Sequence, residues 1–178
     1  MSIEVEVRSF ISEDQYGELL DKMKEEAEFI EDDYQITYYF TGDVDLRIQK
    51  NNNFAKLWLK GGKIHDKHRE EIEVKFDRED FDKLERLLIL LGYEVEVKWF
   101  RKRNKFDWNG IKLTIDYTKG YGHIIELEKI AEENEDKDKI YKELEGKLKS
   151  LGIDITPKEK FDEKFKYYKE NWKTLVED

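Results

Sequence analysis

The 178-residue sequence has no cysteine, one proline, three histidines and two methionines. Without cysteine no disulfide and no thiolate metal site can form, and nothing is learned of the redox compartment. No apolar run of about 18 residues occurs and no basic, apolar leader opens the chain, so a soluble, cytoplasmic protein is expected. Positive charge is the scarcer sign, with 33 Lys and Arg against 43 Asp and Glu, a net charge of −10. That balance argues against coating nucleic acid or anionic membrane through bulk charge, while leaving room for a local basic pocket. Also missing are a Gly-rich phosphate loop, a Ser-His-Asp set and a Cys-His pair. Few Pro and Cys beside many Lys and Glu suit a heat-stable protein.

What is there suffices for a core. Hydrophobic residues make up 38% and aromatics 13%, which excludes disorder, and the length suits one domain spanning 1–178. Alternating apolar and polar residues predict strands at 2–10, 34–41, 44–50, 53–60, 69–76, 93–108, 111–117 and 123–130. Turn residues separate several of them, among them Gly42-Asp43, Asn51-Asn52-Asn53 and the hairpin pair Asn109-Gly110.

Four helices interrupt the strands. The first is capped by Ser12 with Gln15 as a capping box and carries Leu19, Leu20 and Met23 on one side. The second follows Asp77, presents Phe81, Leu84, Leu87, Leu88 and Leu91, and stops at Gly92. The third, about 136–150, shows Ile140, Leu144 and Leu148 and ends near Gly152. The last opens at Thr156-Pro157 with Glu159 completing the cap, and bears the packing stripe Phe161, Phe165, Tyr168, Trp172 and Leu175. Short turns make the strands antiparallel, and eight strands are enough to close a barrel around one small ligand. The expected fold class is α+β: an eight-stranded antiparallel closed β-barrel with amphipathic helices packed outside.

Charge recurs on one parity of nearly every strand. Glu4, Glu6 and Arg8 alternate with Ile3, Val5 and Val7, and Arg47 and Gln49 with Leu46 and Ile48. Lys56, Trp58 and Lys60 do the same, as do Arg69, Glu71, Glu73 and Lys75, then Lys112, Thr114 and Asp116, then Glu126 and Glu128. Parity sorts residues to faces without saying which is inside. If four amphipathic helices cover the aliphatic faces, the charged faces line the interior. Two carboxylates roughly 7 Å apart repel by about 2 kcal/mol at an effective dielectric near 20, so such a lining needs a counter-charge. A hard divalent cation relieves the acids and a polyanion relieves the Lys and Arg, which makes a metal–phosphate complex the natural occupant. An open sheet whose mixed charges simply meet water is the competing reading.

The motifs, in chain order, go further. Glu4-Val5-Glu6-Val7-Arg8 resembles the ExExK signature of the CYTH domain, the triphosphate tunnel metalloenzymes. Tyr38-Tyr39-Phe40, Leu46-Arg47-Ile48, Leu59-Lys60-Gly61 and Arg69-Glu70-Glu71-Ile72-Glu73 resemble that family's successive strand motifs. Arg101-x-Arg103-x-x-Phe106, Asp116 and Tyr121-Gly122-His123-Ile124-Ile125-Glu126-Leu127-Glu128 resemble its closing motifs. The likeness covers about residues 2–130 well and the remainder loosely.

The resemblance implies a tunnel that binds a triphosphate with Mg²⁺ or Mn²⁺. It implies Glu4, Glu6, Asp116, Glu126 and Glu128 as metal ligands, and Arg8, Arg47, Lys60, Arg69, Arg101 and Arg103 as the phosphate clamp. Arg8, Glu71 and Glu73 are the implied catalytic contacts. The implied partner is a triphosphorylated small molecule, with neither nucleic acid nor membrane, and the chain a monomer or homodimer. Three activities stay open: metal-dependent hydrolysis of inorganic, thiamine or nucleoside triphosphate; cyclisation of ATP to cyclic AMP and pyrophosphate; or binding without turnover. Departures from the family pattern are Arg8 where lysine is usual, Gln49 where a second arginine is usual, and Tyr121 and His123 in the last motif. His123 reads as a strand-end filler, Glu94 in the second ExExK-like text as surface, and His65 and His68 as loop residues without a metal.

Overall fold

The computed structural model describes residues 3–60, 71–132 and 135–177. The chain runs β1 (Ile3–Ile11), α1 (Glu13–Glu26), β2 (Glu28–Phe40), β3 (Asp45–Lys50), β4 (Ala55–Lys60) and β5 (Glu71–Phe76). A 3₁₀ turn (Arg78–Asp80) leads into α2 (Phe81–Leu90), then β6 (Val95–Trp108), β7 (Ile111–Thr118), β8 (Gly122–Ala131), α3 (Lys137–Ser150) and α4 (Lys158–Val176). All eight strands join one antiparallel sheet in the order β1-β8-β7-β6-β2-β3-β4-β5. No helix among the described residues is long and apolar enough to cross a membrane.

Local chemistry explains most boundaries. Ser12 accepts the Gln15 N–H at 3.1 Å and the Gln15 side chain accepts the Ser12 N–H at 2.9 Å, the reciprocal capping box that starts α1. Asn109 and Gly110 take φ of 55° and 81°, the pair of positive values that a tight β6–β7 hairpin requires. Strand β2 begins at Glu28, earlier than alternation suggests, because the 14-residue β6 offers it a partner from Asp107 back to Val95.

Two faces result. Val5, Val7, Leu113, Ile115, Ile125 and Leu127 form the main core with Leu19 and Met23 of α1 and Ile140, Leu144 and Leu148 of α3. On the same side of the other half, α2 sets Phe81 and Leu88 on Leu46, Ile48 and Ala55. Leu87 of α2 and Leu91, the residue that caps its end, both expected to pack, are exposed. A ten-residue helix over three narrow strands has only one buried stripe.

Three expectations are corrected. The sheet is not a closed barrel: β1 and β5 are its two ends, and no ladder joins them among the described residues. The helices are not all on the outside either. α4 lies on the charged side at one end, where Phe161 stacks on Phe10 at 4.3 Å, and Tyr168 packs with Val97, Trp99 and Tyr121. Its stripe is aromatic, and the strand ends it covers carry Phe10, Tyr39 and Trp99 rather than charge. Lastly, the α4 cap is not a capping box: Pro157 precedes the helix without a side-chain cap. Thr156 instead turns to β1, its Oγ1 accepting the Phe10 N–H at 3.0 Å and lying 2.8 Å from Ser9 Oγ.

Candidate functional site

The antiparallel register carries the charged parity of one strand onto that of the next. Glu6 stands opposite Glu128 and Arg8 opposite Glu126 across β1–β8. Glu126 also faces Thr114, and Glu128 faces Lys112, across β7–β8. Arg103 meets Asp116 across β6–β7, and Arg101 meets Gln35 across β6–β2. Arg47 meets Trp58, and Trp58 meets Glu73, across β3–β4–β5. The residues therefore lie on one face, and several of them are buried there: Arg47, Gln49, Asp116 and Glu128.

At the β1–β8 end the side chains of Glu6, Glu126 and Glu128 converge, each offering an oxygen within 4.8 Å of the others. Lys112 Nζ donates to both oxygens of Glu128, at 2.9 and 3.0 Å, so one of the three charges is compensated. Glu6 is not: the Glu126 charge, then burial, then Glu128 and Glu4 push its pKa up to about 7, against the pull of Arg8. Three hard oxygen donors that carry more negative charge than Lys112 offsets fit a divalent cation such as Mg²⁺ or Mn²⁺.

Beside this cluster is a guanidinium pair. Arg103 donates Nε and Nη2 to Asp116 at 2.7–3.1 Å, a bidentate contact, and Arg101 Nη1 stands 3.8 Å from the same carboxylate. Burial works against the Arg103 charge, but Asp116 outweighs it and drives that pKa up. Arg101, held through Nε and Nη2 by Gln35 Oε1 at 3.0 and 2.5 Å, is pushed down by burial and by Arg103. Two guanidiniums sharing one carboxylate leave net positive charge facing the cluster of acids.

The β3–β5 end forms a third group. Asp45 takes two hydrogen bonds from Arg47 at 2.6 and 2.5 Å, and the guanidinium lies 4.3 Å from the Tyr39 ring centre. Lys56 donates to Glu73 at 2.7 Å, and that hydrogen bond leads in lowering the Glu73 pKa. Gln49, on the same face, donates Nε2 to Thr37 Oγ1 at 2.8 Å. Two buried side-chain polar atoms among the described residues have no hydrogen-bond partner, Trp58 Nε1 and Thr114 Oγ1, and both stand on this face. An unmade buried hydrogen bond costs about 1–3 kcal/mol.

Of the residues expected to hold metal, then, Glu6, Glu126 and Glu128 come together; Glu4, exposed and further along β1, stands apart, and Asp116 is taken by the arginines. Of the expected clamp, Arg101 and Arg103 form one group and Arg47 with Lys60 another, while Arg8 lies at the acid end with its guanidinium 4.3 Å over Phe161 of α4. Glu73 lies with Lys56 rather than with the acids. Glu71 is placed only as a backbone position opposite Lys60, and Arg69, His65 and His68 lie outside the described residues. His123 sits between Tyr16 and Tyr117, each 4.7 Å away by ring centres, and Glu94 is exposed. Gln35, Asp45 and Lys112 take part in the site without having been singled out for it. Strand parity marked Lys112, but only register names its partner.

The Glu6 shift has a thermodynamic consequence. A carboxyl raised in the folded state contributes stability below its ordinary value near 4.5, and that contribution is lost as pH rises through about 7. In thermal melts without divalent cation, Glu6→Gln is expected to remove part of the stability loss between pH 5 and 8. Adding Mg²⁺ at pH 8 should raise the wild-type Tm and leave the variant nearly unmoved. Equal slopes for both proteins would contradict the cluster's charge balance.

Comparison with known proteins agrees in outline. The CYTH domain profile matches residues 2–160. A Methanocaldococcus jannaschii protein provisionally named an adenylate cyclase is 34% identical over 163 residues, 85% of this chain and 90% of its own. A solved structure from Pyrococcus horikoshii superposes with a TM-score of 0.68 at 29% identity, covering 85% of this chain and 92% of that one. A Hippeastrum protein, also provisionally named an adenylyl cyclase and described as having a dominant triphosphatase activity, superposes with a TM-score of 0.65 at 21% identity, covering 87% and 90%. The last likeness speaks to fold alone.

Proposed function

The chain belongs to the CYTH family, and from that premise we propose that it hydrolyses a triphosphate in a divalent-cation-dependent reaction on the charged face of its sheet. The observation that carries this reading is the meeting of Glu6, Glu126 and Glu128 beside the half-buried Arg101 and Arg103, with Glu6 pushed up to about 7 by its neighbours. A divalent cation held by these acids supplies neutralisation of phosphate charge. Arg8, Arg47, Lys60, Arg69, Arg101 and Arg103 hold the phosphate chain, the arginines through planar forks and the lysine as a point charge. Asp116 takes the role of orienting Arg103 and Arg101 rather than of binding metal. Glu4 extends the acid row, and Glu71 and Glu73 remain the contacts proposed at the β5 end, with Arg8 steadied by Phe161. Phosphoryl transfer asks mostly for positioning and charge neutralisation, which is what such a surface supplies.

The name carried by the M. jannaschii relative favours a second reading, cyclisation of ATP. One assay separates the two. Pure protein is incubated with Mg²⁺ or Mn²⁺ and inorganic triphosphate, thiamine triphosphate or ATP, and the products are resolved. Release of phosphate supports hydrolysis; cyclic AMP with pyrophosphate overturns it in favour of cyclisation. Tight binding with no product leaves a triphosphate-binding module.

Gln49 offers a graded check. It stands on the charged face where the family pattern has arginine, and its amide is spent on Thr37. Gln49→Arg is expected to lower the triphosphate Kd several-fold while losing about 1 kcal/mol of stability with the Thr37 bond. Isothermal titration and urea unfolding measure the two. Unchanged affinity would mean that this position does not reach the ligand.

A further inference from the structure

Trp58 lies on β4 in the middle of the charged face, between Arg47 and Glu73 on the neighbouring strands. It is 7% exposed, and its indole Nε1 is buried without a hydrogen-bond partner among the described residues. Among the described residues three cations lie over the ring: Lys56 Nζ at 4.0 Å from its centre, Lys60 Nζ at 5.2 Å and the Arg47 guanidinium at 5.4 Å. A tryptophan whose faces attract cations is an unpromising platform for a nucleobase, because the cations already hold those faces. What it still offers is its edge. The indole N–H is a donor and nothing else, so it can be satisfied only by an acceptor. Arg47 and Lys56 already bond Asp45 and Glu73, yet guanidinium and ammonium groups keep further donors, and an acceptor drawn to such donors is an oxyanion.

We propose that Trp58 Nε1–H donates to a phosphate oxygen of the bound triphosphate, which makes Trp58 a reader of the phosphate chain rather than of the organic group attached to it. The proposal rests on the charged face being a triphosphate site. Lys56 and Lys60 reach the ring on flexible four-carbon stems. Their ammonium groups can meet the phosphates from over the ring, so the edge turns to the ligand while the faces stay held. Since the donor meets phosphate alone, its removal weakens inorganic triphosphate and ATP by the same factor.

The test uses the full chain with ¹⁵N-labelled tryptophan. The chain has four tryptophans, and so four indole cross-peaks, and Trp58→Phe or, if that folds poorly, Trp58→Tyr identifies the one from Trp58. Saturating inorganic triphosphate with Mg²⁺ is expected to move that indole proton downfield. Trp58→Phe is expected to raise the Kd or KM roughly tenfold for inorganic triphosphate and for ATP, as loss of one charge-assisted hydrogen bond would. A weakened variant with an unmoved wild-type indole signal would assign Trp58 to holding the lysines and overturn the donor role. Wild-type affinity in Trp58→Phe, together with lost binding in Arg103→Ala, would overturn it while leaving the triphosphate site standing. No binding of inorganic triphosphate by the unaltered protein would overturn both.

Discussion

Replacing Glu126 with alanine is expected to lower divalent-dependent triphosphate turnover by about 10²-fold or more, with little change in fold. Glu126 is the hinge of the acid cluster. It faces Arg8 on one side and Thr114 on the other, and its charge is the largest influence raising Glu6. Removing it takes away one of three converging oxygens and lets Glu6 fall back toward an ordinary carboxyl value, so two ligands remain where three were offered. Hard-cation sites lose affinity steeply with ligand charge count. The expected signature is a large rise in the Mg²⁺ concentration needed for half-maximal rate, with the acid limb of the pH–rate profile moved to lower pH. A variant with wild-type rate and wild-type metal dependence would remove this cluster from the reaction.

Arg103→Ala is expected to have the second largest effect, and on stability as well as on binding. Asp116 is 4% exposed and takes three close hydrogen bonds from Arg103, with Arg101 only at 3.8 Å. Truncating the guanidinium leaves a buried carboxylate short of compensation, which costs about 3–5 kcal/mol. The double variant Arg103→Met, Asp116→Leu should recover most of that stability, because an apolar pair fills the space without a stranded charge. It should not recover triphosphate binding. Urea unfolding and titration with inorganic triphosphate separate the two contributions. A double variant that binds as well as wild type would show Arg103 to be structural only.

Much of this arrangement was legible from the amino acids, and the boundary between what was and what was not has a physical origin. Period-two alternation places Glu6, Arg8, Arg103, Asp116 and Glu126 on one face because side chains alternate strictly along a strand. The Arg103–Asp116 pair was within reach too: the two-residue Asn109-Gly110 turn pairs Trp108 with Ile111, and stepping back along both strands sets Arg103 against Asp116. Residue type alone points Asp116 toward metal; register adds that the same carboxylate also holds Arg103 and Arg101. The pairing of β1 with β8 could not be had this way. More than a hundred residues separate Arg8 from Glu126, no turn fixes their register, and the three-acid cluster depends on it.

Curvature and closure were equally out of reach. Alternation reports which face a side chain occupies, not whether the outermost strands meet, and among the described residues β1 and β5 stay apart as the sheet's outer strands. The side chosen by α4 was obscured for a related reason. Its stripe of Phe161, Phe165, Tyr168 and Trp172 marks a packing surface, but the complementary aromatics, Phe10, Tyr39, Trp99 and Tyr121, come from separate strands and turns. Only their meeting shows that the charged face becomes apolar at that end. The same meeting sets Phe161 under Arg8.

The most direct measurement of the central claim is anomalous diffraction from crystals grown with Mn²⁺ and inorganic triphosphate. The expected result is a Mn²⁺ peak coordinated by Glu6, Glu126 and Glu128, with phosphate oxygens on Arg103 and within hydrogen-bond reach of Arg47. Manganese and triphosphate bound away from these side chains, or on the opposite face of the sheet, would contradict it.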